Sequence, residues 1–245
     1  MCGRYSLAVS PEELEQIFEA PAEGDLALPR WNIAPTQDAP VVVLGRAGRR
    51  ITPLRWGLVP HWADDPAIGA RHINARAETV AGRPAFKEAF ARRRCLVPAD
   101  GFYEWVDRPG GGPRLPHWIH HAQGGVLAFA GLRETWRRGG AAPGAAEADP
   151  LRTFTILTTT PNGTVAPLHD RMPVVLPPTA WDRWLDPATP LAELHALLVP
   201  APDALLAARL VSTRVNRVEH DDAACIEPGG PLAASSELLD LFEGR

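Results

Sequence analysis

The sequence predicts a fold that mixes α and β, with strands in the majority. Three observations carry this. An amphipathic helix pattern lies near the start, a long middle stretch alternates β-type runs with turn residues, and helical patterns gather again after residue 178. At 245 residues the chain is long enough for one large domain or two small ones around a real core.

The elements follow in order. Residues 10–20, SPEELEQIFEA, read as a helix with Ser10 as N-cap, Pro11 in the first turn and Glu13 as the returning capping-box partner. Leu14, Ile17 and Phe18 share its apolar face. Trp31–Gln37, rich in aromatic, polar and proline positions, predicts a shaped loop. Val41–Leu44 and Ile51–Val59 predict strands, with Gly45–Arg50 as a hairpin tip. The second strand runs into Trp56-Gly57-Leu58-Val59-Pro60-His61-Trp62, where two tryptophans flank Gly and Pro. They cannot both be core, so one is expected on a binding face where a flat ring can stack on bases.

Ile73–Thr79 concentrates an amide, a guanidinium and a carboxylate; a functional cluster and a capped helix start both remain open. A helix is expected over Pro84–Arg93. Arg94–Val106 is strand-like, with Phe102 and Glu104 on one face and Tyr103 and Trp105 on the other. Burial of Glu104 among aromatics would raise its pKa, as a general acid/base requires. Cys95 reads as a buried small hydrophobe. His117–His121 and Val126–Trp136 predict the two strands of a hairpin. The spacing of His117, His120 and His121 splits them between faces, and no metal site is expected.

Arg137–Pro150 is a Gly/Ala/Pro-rich insertion. Phe154–Thr160 and Val174–Leu176 predict strands around Leu168–Pro173, where His169 combines with Asp170 and Arg171 as a titrating base beside an anion ligand. Helices are expected at Thr179–Leu185, Leu191–Leu198 and Asp203–Leu210, a strand at Val211–Val218 and a last helix near Ser236–Phe242.

Composition narrows the function classes. No apolar run approaches the ~20 residues of a membrane span, and no signal-peptide pattern opens the chain. Three widely separated cysteines form neither a disulfide framework nor a CxxC site, which points to a reduced, cytoplasmic enzyme. A net charge of −4 argues against a generic nucleic-acid coat. It leaves room for a local groove, because the basic residues are nearly all arginine, the better phosphate ligand.

The first residues carry the most distinctive chemistry. With Met1 removed, Cys2 would present an α-amine and a thiol two carbons apart. The amine titrates near ~7.7–8.0 and is therefore a far better neutral nucleophile than lysine. Amine and thiol together convert an aldehyde to an imine and then a thiazolidine; the same pair also suits acyl transfer.

In order, Cys2-Gly3-Arg4, INARAET (73–79), GFYEW (101–105) and HDRMP (169–173) resemble the SOS-response-associated peptidase (SRAP) family of abasic-site-processing proteins. NIAP (32–35), WGLVPHW (56–62) and FAGL (129–132) extend the resemblance over nearly the whole chain, to about residue 228. It implies a single α+β domain over residues 1–245, with a β-rich, barrel-like core flanked by helices. It also implies covalent capture of abasic sites in single-stranded DNA by a cytoplasmic, nucleoid-associated monomer that needs no cofactor, metal or membrane. Carried over by motif, Cys2 would form the cross-link and could also remove Met1. Asn74 would position the terminus and the opened sugar. Glu104 would act as acid/base, and His169 would shuttle protons and assist reversal. Arg4, Arg76 and Arg171 would hold phosphates, Trp62 and Pro35 would wedge and stack, and Trp105 would line the pocket. Ala63 departs from relatives with a second aromatic after Trp62.

Other classes remain open. An N-terminal-nucleophile amidotransferase or hydrolase can begin Met-Cys-Gly, but here Arg4-Tyr5 follows and no glutamine-pocket motif is evident. A cysteine peptidase acting on other proteins through Cys2 and His169, and a non-catalytic DNA-binding module, are the remaining two. Only the last would tolerate loss of Cys2.

Overall fold

The computed structural model describes residues 2–108, 111–137 and 149–229. The insertion expected at 137–150 and the last helix expected near 236–242 therefore fall largely or wholly outside the described residues.

Strand β1 (Tyr5–Leu7) leads into helix α1 (Pro11–Phe18). Ser10 caps the helix by accepting the Glu13 N–H at 3.2 Å, and Leu14 and Phe18 are buried. Residues 30–33 are a strand, β2 (Arg30–Ile33), where a loop was expected; the loop proper begins at Ala34. The predicted hairpin is β3 (Asp38–Gly45) and β4 (Gly48–Trp56), paired from Asp38↔Arg55 to Gly45↔Gly48. Beyond it lie β5 (Asn74–Arg76), α2 (Lys87–Arg92), β6 (Arg94–Ala99) and β7 (Gly101–Val106). The chain continues through β8 (Leu115–His121), β9 (Leu127–Trp136), β10 (Leu151–Thr159) and β11 (Met172–Pro173). Helices α3 (Trp181–Leu185) and α4 (Leu191–Ala196) and strand β12 (Leu206–Leu210) follow.

Strands β10, β4, β3, β6 and β9 form one sheet, and pairing of β9 with β10 closes it into a five-stranded barrel. Closure removes the sheet edges that would otherwise need covering. The fold is thus α+β with a barrel core, as the resemblance implied. A second sheet, in the order β12-β8-β7-β1-β2, packs on the barrel. Tyr5 of β1 meets Trp56 of β4 edge-on at 5.1 Å, and Phe102 of β7 meets Phe129 of β9 at 5.9 Å. These aromatic contacts lie in one continuous buried cluster shared by both sheets.

Three sequence expectations are corrected. Strands β8 and β9 do not form a hairpin: β8 pairs with β7 and β12, while β9 pairs with β6 and β10. Alternation gives each strand its faces but not its neighbour. Residues 203–210 are one short 3-10 turn followed by β12 rather than a helix, because β8 has a free edge that they fill, Leu206↔His121 to Leu210↔His117. Residues 213–216 form a 3-10 turn where a strand was expected. Their chain wraps back so that the Val215 carbonyl meets Arg4 and Asn32.

Two features place the site. Strand β5 runs parallel to β10, Ile156↔Asn74 to Thr158↔Arg76, continuing the edge where β4 leaves off at Phe154↔Trp56. Gly57 turns the chain out of β4 at φ +120°, and a Cβ there would stand 2.6 Å from the Gly69 carbonyl oxygen. Only glycine lets the Trp62 loop fold against the Pro66–Arg71 turn this closely.

Candidate active site

Cys2 lies where β1, β5 and β7 converge, and it is fully buried. Asn74 reaches it from β5, its Nδ2 donating to the Cys2 carbonyl at 2.7 Å. The other amide atom, Asn74 Oδ1, is buried with no hydrogen-bond partner. An orphaned buried acceptor is costly unless a donor completes it, so this atom offers a place for one beside Cys2. Burial, and then the negative charge of Glu104, push the Cys2 thiol far above its ordinary range. The sulfur is therefore a held-back S–H rather than a standing thiolate.

Glu104 is 4% exposed, on the β7 face predicted from strand alternation. Burial raises its carboxyl above the usual carboxylate range, and the charge of nearby His169 pulls it partly back. His169 Nε2 is 3.9 Å from Glu104 Oε2. The Arg171 backbone N–H lies 2.9 Å and the Arg171 carbonyl 3.3 Å from His169 Nδ1, so Nε2 is the ring nitrogen that faces Glu104. A carboxyl with raised pKa facing an imidazole nitrogen is an arrangement for moving protons. Asp170 Oδ1 lies 3.0 Å from the same Nδ1.

The structure thus brings Cys2, Asn74, Glu104 and His169 together; the expected phosphate ligands divide. Arg76 is exposed at the end of β5. Arg171 forks onto Glu78 at 2.7 and 2.8 Å and donates to the Thr158 carbonyl at 2.7 Å. Arg4 is half-buried, bonded to Asn32 Oδ1 at 2.7 Å and the Val215 carbonyl at 3.0 Å, with its guanidinium over Trp105 at 5.7 Å. Arg4 and Arg171 are thus held by protein groups, and Arg76 is the arginine open to solvent. Trp105 is half-buried and tied to Asn216 at 2.7 Å. Of the two flanking tryptophans, Trp56 is fully buried and Trp62 is 53% exposed, so the binding-face expectation falls on Trp62. Pro35 is half-buried at the end of β2.

Sequence reasoning passed over four participants. Glu78 stands in the quoted INARAET stretch as the only carboxylate there, which marked it as a partner for an arginine. Asn32 holds Arg4 and also donates to the carbonyls of Arg217 and His220, at 2.9 and 2.6 Å. Thr158, on the strand that carries β5, keeps a buried hydroxyl without a hydrogen-bond partner. His117 pairs across β7–β8 with Glu104 and was weighed only for metal. Among the described residues no group of His, Cys, Asp and Glu could hold a metal ion.

Fold and site define a class: a closed β-barrel that holds a buried cysteine, Cys2, close to a carboxyl–imidazole pair. The family model "SOS response associated peptidase (SRAP)" matches residues 1–218, and the chain belongs to that family. It is 37% identical over 231 residues to abasic site processing protein YoqW of Bacillus subtilis, spanning 93% of this chain and 99% of the relative. It is 32% identical to abasic site processing protein HMCES of Gallus gallus, over 93% of this chain and 78% of that one. A crystal structure of a Bacteroides thetaiotaomicron protein superposes with a TM-score of 0.80 at 22% identity, over 93% of this chain and all of that one. That likeness concerns the fold alone.

Proposed function

We propose that this protein processes abasic sites in DNA, as the names of its relatives say of them, by capturing the lesion covalently in single strands through Cys2. The observation that carries the reading is the grip of Asn74 on the Cys2 carbonyl beside Glu104 and His169. With Met1 removed, that grip holds the α-amine next to a proton donor and an acceptor.

The abasic sugar is mostly a closed hemiacetal, so a proton must be delivered to its ring oxygen while one leaves the anomeric hydroxyl. Glu104, protonated to higher pH than an ordinary glutamate, gives the first and His169 takes the second. The Cys2 amine then adds to the aldehyde carbon and one water leaves, forming the imine. Sγ adds to the imine carbon while the thiol proton passes by way of Glu104 to the imine nitrogen, closing the thiazolidine. One aldehyde and one aminothiol are consumed and one water is released. A thiol held protonated until the imine forms favours this order over attack by sulfur first. Alignment of amine and aldehyde is worth on the order of 7–11 kcal/mol, and each proton transfer about 10²–10⁴-fold. Run backwards through the same pair, the sequence releases the lesion. Proton abstraction beside the imine would give lyase chemistry, and Cys2 Sγ attack on the Met1 carbonyl carbon, with water then hydrolysing the thioester, would release Met1 and restore the thiol. The exposed Arg76 holds a phosphate beside the lesion without reading sequence.

The test is a denaturing gel of the protein with a single-stranded oligonucleotide carrying one abasic site, beside Cys2→Ala and undamaged DNA. A heat-stable shifted band that needs both the lesion and Cys2 is expected. Its absence from protein that mass spectrometry shows to lack Met1 would sink the capture reading in favour of an N-terminal amidotransferase or hydrolase.

A further inference from the structure

A second polar cleft lies at the tip of the β3–β4 hairpin, away from Cys2, with a volume of about 710 Å³. Six arginines line it, Arg46, Arg49, Arg50, Arg92, Arg94 and Arg133, against one carboxylate, Glu23. In a chain of net charge −4 such a concentration of one sign calls for a cause.

Three of the six have structural duties. Arg94 spends its guanidinium on the carbonyls of Phe90, Ala91, Trp184 and Asp186. Arg49 is held by Asp182 and lies over Trp181, and Arg50 pairs with Glu23 at 3.0 Å. The other three do not. Arg46 and Arg92 are exposed and have no ion-pair partner among the described residues. Arg133 is half-buried, and its Nε, like that of Arg50, is buried without a hydrogen-bond partner. Burial weighs against the charge of Arg133, and the charges of Arg50 and Arg93 add to that cost. Guanidinium groups crowded in this way lack an anion, and planar forks match phosphate oxygens two at a time. The lining residues include no aromatic ring to stack on a base.

Chain neighbours of two of these arginines, Arg93 and Glu134, reach toward the Trp62 loop. His61 Nδ1 is 3.5 Å from Glu134 Oε2, and Arg93 binds the same carboxylate oxygen at 2.7 Å. Arg133 follows as the β9 neighbour of Glu134, its backbone N–H bonded to the Arg93 carbonyl at 2.8 Å, and Arg92 precedes Arg93. From this we infer that the cleft is a second phosphate-binding site, built for closely spaced phosphate groups, which takes the backbone of the bound strand beyond the captured sugar. The strand as source rests on the function proposed above; the chemistry of the cleft does not.

The test compares wild type with the double variant Arg46→Glu/Arg92→Glu and with Arg46→Gln/Arg92→Gln, a milder change should charge reversal disturb folding. Calorimetry with inorganic tripolyphosphate reads the site directly. Undamaged single strands, one within and one well beyond the ~4–16 nucleotides that a single-strand groove spans, read the backbone contact across a salt series. The expected result is loss of tripolyphosphate binding in both variants and about tenfold weaker binding of the long strand. The log–log salt slope should shrink by about 1–2, with short-strand binding and lesion capture unchanged. Loss of tripolyphosphate binding with long-strand affinity intact would keep the site and assign it a free polyphosphate. Wild type that binds no tripolyphosphate, and whose long-strand affinity the variants do not lower, overturns the proposal. If capture fails in wild type while variant-sensitive phosphate binding persists, the function proposed above falls and the cleft stands.

Discussion

Two buried polar regions of this molecule are built on opposite rules. Around Arg94, 2% exposed at the start of β6, four carbonyl oxygens from two helical segments and their flanks receive one guanidinium. Around Cys2, Asn74 Oδ1, the Tyr5 hydroxyl and the Thr158 hydroxyl are buried without hydrogen-bond partners. The first region is complete and can only hold α2 and α3 to the barrel. The second carries polar groups whose pairing waits on something that enters. Saturation of buried polar groups therefore separates scaffold from site here more sharply than burial does, since Arg94 and Cys2 are both buried.

The contrast can be broken from the scaffold side first. Arg94→Met leaves the Phe90, Ala91 and Trp184 carbonyls without their donor, while Asp186 keeps the Thr189 N–H at 3.0 Å, and is expected to cost on the order of 3–5 kcal/mol, read from urea or thermal unfolding. A cost below about 1 kcal/mol would mean that the network is decorative and the comparison fails. On the site side, Glu104→Gln should slow capture by about 10²–10⁴-fold. Its effect on stability should have the opposite sign. The folded-state pKa of Glu104 is raised, so its stabilising contribution is full below the ordinary carboxylate range and lost as pH rises through the raised value. The amide, which never ionises, should raise Tm at pH 7, and the gain should vanish on acidification. A Tm lowered equally at all pH values would make Glu104 structural. The smallest stability effect is expected at Trp62, which packs on little. Trp62→Ala should stay within about 0.5 kcal/mol of wild type in stability while weakening single-strand binding by about 1–3 kcal/mol.

Much of this was legible in residue patterns. Ser10-Pro11 marked the start of α1, alternation put Glu104 and Phe102 on one face, and two tryptophans in seven residues announced that one was exposed. What could not be read was pairing between distant segments. Periodicity fixes which way a side chain points, but the partner of β8 is decided by which free edge the chain can reach. Residues 206–210 accordingly became a strand despite their leucines and alanines. The surroundings of the arginines were no more legible. Arg4 and Arg171 look like phosphate ligands in one dimension, and only the fold brings Asn32 and Glu78 against them. Arg76 faces solvent at the end of β5, beside Thr158 of β10.

The bond from Asn74 Nδ2 to the Cys2 carbonyl is made to main chain, not to sulfur. The fixture is consequently indifferent to what residue 2 carries, and the barrel works as a socket with an interchangeable insert. A serine delivered there would offer an oxygen in place of the sulfur, an alanine only its amine, and each would meet the same carboxyl and imidazole from the same direction. On the function proposed above, the reactive part can be exchanged by altering one codon, while the tooling around it stays in place.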